Sequence, residues 1–238
     1  MSIPKIIDYP MPQRGAFPAN KTDWRPDPAR AVLLIHDMQH YFLRFYDMNG
    51  GLVPALVRNL VLLRQWAHRN AVPVVYTAQP HKQPAADRAL LNAMWGPGLP
   101  AAGPEQQHII EELTPGTDEI VLTKWRYSAF NRSDLLERMR SQDRDQLVIG
   151  GIYAHIGCMV TAVDAFMNDI QAFLVGDAVA DFSEEEHYFA LKYAATRCGH
   201  VIDTESLAGA PAGGEIPPGQ PHAPAQRPSA KTRQGETR

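Results

Sequence analysis

The sequence predicts an α/β protein, a three-layer α/β/α sandwich around a six-stranded parallel sheet in a Rossmann-like arrangement. Two observations carry this. The strand-like runs, such as Ala31-Val32-Leu33-Leu34-Ile35 and Leu147-Val148-Ile149, are apolar without alternation, as expected of strands covered on both faces. Amphipathic helical patterns stand between them, which is the rhythm of βαβ units.

Residues 1 to 30 come first and hold six prolines, among them Pro10, Pro12, Pro26 and Pro28. Proline fixes φ and removes a donor, so an extended arm over the body is expected. The first strand ends at Asp37. A helix follows from Leu52 to His68, with Val53, Leu56, Leu60, Leu63 and Ala67 on one face, and a second strand spans Val72 to Tyr76. Further strands are expected at Glu119 to Thr123, Leu147 to Gly150, Ala172 to Val175 and His200 to Asp203. Helices are expected at Glu105 to Leu113, Ser133 to Arg140, Cys158 to Asp169 and Glu184 to Arg197. Ser133 and Ser183 are placed to cap helix starts, and Glu184, Glu185 and Glu186 suit the positive end of a helix. From residue 208 the chain turns to Pro, Gly, Ala and Gln with no apolar face, so one domain over residues 1 to 207 and a disordered tail over 208 to 238 are expected.

The balance of 23 basic and 26 acidic residues, net charge -3, offers no broad electropositive face, and nucleic acid is not an expected partner. No apolar run approaches a membrane span or a secretory signal, which makes the cytoplasm the expected compartment. Cys158 and Cys198 lack the clustered spacing of a disulfide framework or zinc site and are read as reduced thiols. His36, His81 and His155 lack the spacing and acidic companions of a metal site. Gly150-Gly151 is too short for a phosphate or dinucleotide fingerprint, and no cofactor is expected.

Strand ends carry the candidate chemistry, because open parallel sheets bind ligands beyond their carboxyl edges. Asp37 and Lys124 both stand just past a strand. Each reads as a site residue or as a local one, Asp37 capping a turn and Lys124 lying on the surface. Gln79 ends the second strand as a substrate ligand or as a turn residue bonding nearby backbone. Arg88 offers a planar fork for a carboxylate, or is an exposed helical arginine. Trp95 is pocket wall or core. His155, in a strand-to-helix turn, reads as a hydrogen-bonded structural residue.

The runs Leu33-Leu34-Ile35-His36-Asp37-Met38-Gln39, Tyr76-Thr77-Ala78-Gln79-Pro80, Met94-Trp95-Gly96-Pro97-Gly98, Leu122-Thr123-Lys124-Trp125-Arg126-Tyr127-Ser128-Ala129-Phe130 and Tyr153-Ala154-His155-Ile156-Gly157-Cys158-Met159 together resemble the isochorismatase family. The resemblance spans about residues 1 to 207 and looks most like the siderophore-type members. It implies hydrolysis of the enolpyruvyl ether of isochorismate to pyruvate and 2,3-dihydro-2,3-dihydroxybenzoate. The same reaction on 2-amino-2-deoxyisochorismate, in phenazine biosynthesis, is the nearest alternative. Many wider-family amidohydrolases use an Asp, Lys and Cys triad. Here the cysteine position reads Gly157, and Cys158, one residue further on, is turned by roughly 100° along a helix, away from the substrate. A cysteine amidohydrolase is thereby disfavoured. A non-catalytic docking protein is also less favoured, and the tail lacks the attachment motif of an aryl carrier domain.

The resemblance assigns Asp37 as proton donor, without a covalent intermediate. Its carboxyl must then hold a proton in the complex, which burial and the substrate carboxylates favour. Lys124 is assigned mainly to the bound substrate. Phe42, Gln79, Arg88, Trp95 and Tyr153 are expected around the substrate, with Gly157 leaving space and presenting free backbone N–H groups to a carboxylate. Metal and cofactor are not expected, and a homo-oligomer, often a dimer, is.

Overall fold

In the computed structural model, which describes residues 3–209, six parallel strands form one sheet: β1 (Ala31–His36), β2 (Val74–Ala78), β3 (Ile120–Thr123), β4 (Gln146–Ile152), β5 (Gln171–Ala180) and β6 (Gly199–Ile202). The order across the sheet is β3-β2-β1-β4-β5-β6. The chain therefore winds outward from β1 in one direction and from β4 in the other, and the strand order reverses between these two neighbours.

The helices are α1 (His40–Leu43), α2 (Leu52–Arg69), α3 (Ala85–Arg88), α4 (Leu90–Trp95), α5 (Leu135–Ser141), α6 (Met159–Met167), α7 (Glu184–Tyr193) and α8 (Thr204–Ala208). All six residues of β1 are buried, because successive side chains enter opposite layers. Leu33 and Ile35 pack with Leu56, Leu60 and Leu63 of α2 and Leu207 of α8. Val32 and Leu34 pack with Leu135 of α5, Ala162 of α6 and Leu191 of α7. Ser183 caps α7 by accepting the Glu186 amide at 3.2 Å. At α5 the Ser133 hydroxyl accepts the Leu135 amide at 3.4 Å.

The N-terminal arm wraps the body as a largely irregular segment with buried Ile6, Tyr9 and Met11. Its Asp8 carboxylate accepts the Gly51 and Leu52 amides at 2.9 and 3.1 Å. An arm residue thus serves as the anion at the start of α2.

Five elements depart from the sequence reading. The segment expected as one helix from Glu105 to Leu113 is two single turns, Pro104–Gln107 and Glu111–Leu113, because Ile109 pairs with Gln39 between them. The second strand starts at Val74 rather than Val72, whose amide instead closes the end of α2 on Ala67. β5 runs five residues beyond Val175, crossing a register irregularity against β4. There the Asp177 carboxylate takes the amide and hydroxyl of Thr204, both at 2.8 Å. The helices expected from Cys158 and to Arg197 are instead joined to wider π-type turns, at Ala154–Cys158 and Ala194–Cys198. Of the tail expected from residue 208, Ala208 closes α8, and residues 210–238 lie outside the described residues.

Candidate active site

The reversal of strand order between β1 and β4 opens a crevice at the carboxyl edge of the sheet, the usual ligand position in such folds. Asp37 enters it directly after β1 with φ of 52°. That left-handed conformation is uncommon outside glycine and is best tolerated by Asp and Asn. Two neighbouring strands hold its carboxyl. Thr77 Oγ1 on β2 donates to Oδ1 at 2.6 Å, and Lys124 Nζ, one residue past β3, donates to Oδ2 at 2.8 Å. Aspartate and lysine are each about 5% exposed.

Lys124, expected mainly on the bound substrate, thus pairs with Asp37. The register pairs His36 with Thr77 and Thr77 with Leu122, so residues leaving β1 and β3 converge over β2. In this geometry the ammonium rests on Asp37.

Around this pair lies a cleft lined by polar groups and aromatic rings. Asp37, Phe42, Gln79, Arg88, Trp95, Lys124, Tyr153 and Gly157 all line it. Arg88 is 5% exposed and none of the ion pairs among the described residues includes it. Its Nε donates to the Gly96 carbonyl at 3.0 Å and its Nη1 to Gln83 at 2.8 Å. Burial pushes its pKa below the ordinary arginine value, the cost of a cation held among neutral groups. An incoming carboxylate would offset that cost. Gln83 Nε2 in turn donates to Gln79 Oε1 at 3.2 Å. Buried Gln39 fixes the turn at residue 79 by accepting its amide and donating to its carbonyl, each at 2.8 Å.

The opposite wall is aromatic. Phe42 and Tyr153 meet edge to face at 6.0 Å, and the Tyr153 hydroxyl spends its proton on the Phe42 carbonyl at 3.1 Å. Burial raises the Tyr153 phenol far above its ordinary value. Trp95 Nε1 donates to the Tyr127 hydroxyl at 2.9 Å, and its ring lies 6.0 Å from Phe182.

Gly157 departs from expectation in one respect. The turn after β4 is wide, and the Gly157 and Cys158 amides both donate to the Tyr153 carbonyl, at 3.0 and 3.2 Å. The Gly157 N–H is therefore committed and not free for an anion. Cys158 lies in the layer with Val32, Leu34 and Ala162, fully buried, and burial pushes its thiol well above the ordinary range.

His155, to which the sequence gives no site role, donates from Nδ1 to Asp181 Oδ1 at 2.6 Å, with Glu186 at 3.9 Å from its Nε2. These three side chains form the one His, Asp and Glu group with metal-like spacing among the described residues. The Asp181 oxygens already accept the amides of His155 and Phe182 as well.

Sequence reasoning missed Ile3, Tyr127, Ile156 and Phe182, which also line the cleft. Tyr127 and Ile156 sat inside runs already singled out. Phe182 was hidden by ending β5 too early, and Ile3 arrives from an arm with no periodic signal.

Fold and site define a Rossmann-like hydrolase with a buried acid-and-lysine pair at its switch point. An isochorismatase-domain family model matches residues 31–206. The chain is 56% identical to an isochorismatase of Bacillus subtilis, covering 87% of this chain and 66% of that protein. It is 52% identical to enterobactin synthase component B of Escherichia coli, covering 89% and 74%. It is 51% identical to a phenazine biosynthesis protein of Pseudomonas aeruginosa, covering 86% and 98%. A cysteine hydrolase from Pseudomonas syringae shares the fold, with a TM-score of 0.70 over 82% of this chain and 97% of that one at 22% identity. The chain belongs to the isochorismatase family.

Proposed function

We propose that this protein hydrolyses the enolpyruvyl ether of isochorismate by general acid catalysis from Asp37, releasing pyruvate and 2,3-dihydro-2,3-dihydroxybenzoate. One observation carries the reading. A buried carboxyl gripped by side-chain donors faces the cleft, while the family's nucleophile position holds glycine.

Arg88 and the Gln79 amide receive the substrate carboxylates and hydroxyl, and the aromatic wall covers the ring. The substrate's negative charge draws Lys124 from Asp37 toward a carboxylate or the ether-side oxygen, and Asp37 takes up a proton. Asp37 then protonates the terminal methylene carbon, which the ether oxygen makes basic. The resulting oxocarbenium ion is attacked by water at the carbon bearing the ether oxygen, and Asp37 recovers a proton from that water. The hemiketal then breaks its bond to the ring oxygen as its hydroxyl proton passes to that oxygen, releasing the diol and leaving pyruvate. No bond to the protein forms.

Incubation with isochorismate, followed by product analysis, tests this: pyruvate and the dihydrodiol are expected in a one-to-one ratio, and absence of either overturns it. The 51% identity to the phenazine relative supports a second reading, the same reaction on 2-amino-2-deoxyisochorismate. Side-by-side kinetics decide between them, and a much higher kcat/KM for the amino compound would replace the first reading. We further infer a cytoplasmic homodimer. The exposed apolar side chains Phe166 and Met167 of α6 and Phe189 of α7 support self-association, and light scattering on the purified protein tests it.

A further inference from the structure

We propose that His36 is a positioning residue of this site: its ring occupies the space that any side chain at position 157 would need, and it backs the Asp37 carboxyl. A side chain at 157 and histidine at 36 are then mutually exclusive, which commits the cleft to chemistry without an enzyme nucleophile. The proposal deepens the acid-catalysed reading above and rests on it.

His36 is the last residue of β1 and is fully buried. Its Nδ1 lies 2.8 Å from the Ile152 carbonyl, which selects the tautomer with the proton on Nδ1. The same nitrogen is 3.6 Å from Asp37 Oδ2, so the ring stands directly behind the acid. Its other nitrogen, Nε2, is buried without a hydrogen-bond partner. Burial lowers the pKa of this histidine to about 4, so the ring is neutral at ordinary pH.

Two glycines make room for this residue. Gly151 has φ of 116° and pairs with His36 across the strands, and a Cβ there would strike the His36 backbone. A Cβ on Gly157 would strike Cε1, Nδ1 and Nε2 of the ring itself. A flexible side chain at the surface would swing aside. This ring is enclosed and bonded to Ile152, so it cannot yield without breaking that bond and shifting Asp37. A displacement of that kind in an acid catalyst reduces turnover far more than substrate binding.

A double-mutant cycle tests the proposal. His36→Asn keeps a side-chain N–H near the Nδ1 position and removes the outer part of the ring. Gly157→Ala alone is expected to lower kcat by about 100-fold with KM nearly unchanged, since small misplacements have that effect. It should lower the melting temperature by about 5 °C, as overpacking does in a domain of this size. His36→Asn alone should change kcat by less than about 10-fold, whereas His36→Ala, which loses the Ile152 bond, should lose more. In the double variant His36→Asn/Gly157→Ala, at least about tenfold of the lost kcat and most of the lost melting temperature should return.

Additive losses in both readouts overturn the proposal. Coupling in melting temperature without coupling in kcat also overturns it, because His36 would then be a packing residue only. If Gly157→Ala does not fold, a folded double variant supports the proposal and an unfolded one overturns it. The melting cycle needs no substrate. Failure of the wild-type protein to hydrolyse isochorismate would therefore sink the functional reading while leaving the steric exclusion measurable.

Discussion

Asp37 and Asp181 are two buried aspartates that each follow a strand, β1 and β5, at the same edge of one sheet. Their partners differ. Asp37 is held by a hydroxyl and an ammonium, Thr77 and Lys124, both on side chains, and it faces the cleft. Asp181 is held by two backbone amides and by His155, and it is sealed off entirely. Backbone donors cannot be exchanged for a ligand during a reaction. Side-chain donors can, and so the first aspartate is suited to giving up and recovering a proton while the second is suited to fixing the turn that carries Tyr153 to Gly157.

The sharpest way to break this comparison is to neutralise each carboxyl in turn. Asp37→Asn should lower kcat by about 10³-fold or more, toward the upper end of what general acid catalysis contributes, while binding of the dihydrodiol product by calorimetry is largely kept. Near-normal turnover of this variant would end the acid mechanism.

The sheet edge was legible in the sequence because its strands are buried on both faces, and a continuous apolar run followed by a charge marks a strand end directly. That is why Asp37 and Lys124 stood out. What stayed hidden depends on tertiary pairing. Ile109 splits an apparent helix by bonding across to Gln39, and β5 passes through Gly176-Asp177 because Asn59 and Thr204 satisfy its polar groups. Losing the end of β5 concealed Asp181 and Phe182 together, and with them the contrast between the two aspartates. The sequence places Asp37 and Lys124 at one sheet edge, but their direct contact follows from the register of β1, β2 and β3 and not from the residues around Lys124.

A smaller effect is expected at the far wall of the cleft, where Arg88 is a buried cation without an acidic partner among the described residues. Removing a charge-assisted hydrogen bond to a substrate carboxylate costs about 1.5–3 kcal/mol, or roughly 10- to 150-fold. Arg88→Ala should show this mainly in KM. A loss confined to kcat would assign Arg88 to the reacting centre and blur its distinction from Asp37.

Asp181→Asn should move activity least and stability most. Asparagine keeps one acceptor oxygen but turns the other into an NH2 facing a partner that also donates, so a melting temperature several degrees lower is expected, with kcat within about threefold of wild type. A fall in kcat comparable to that of Asp37→Asn would mean that both aspartates belong to the chemistry.

The histidines give a finer version of the same test, because burial and carboxylate pairing shift them in opposite directions. Burial lowers His36 and His187 to about 4, while the Asp181 pair raises His155 despite its partial burial. For the lowered pair the unfolded chain, titrating near 6.5, binds more protons as pH falls. Their contribution is thus present above about 6.5 and is lost as pH drops from there through about 4, up to about 3 kcal/mol each. For His155 the sign reverses. Its contribution is complete below the unfolded value near 6.5 and is lost as pH rises through its higher folded value. These three groups together place a stability maximum near pH 6.5, with the acid side falling more steeply. Melting temperatures measured from pH 4 to 9 should show this, and Asp181→Asn should remove the alkaline decline while leaving the acid one. A variant that keeps the alkaline decline would show that the charge on Asp181 is not what holds His155, and the two aspartates would no longer divide into one that reacts and one that braces.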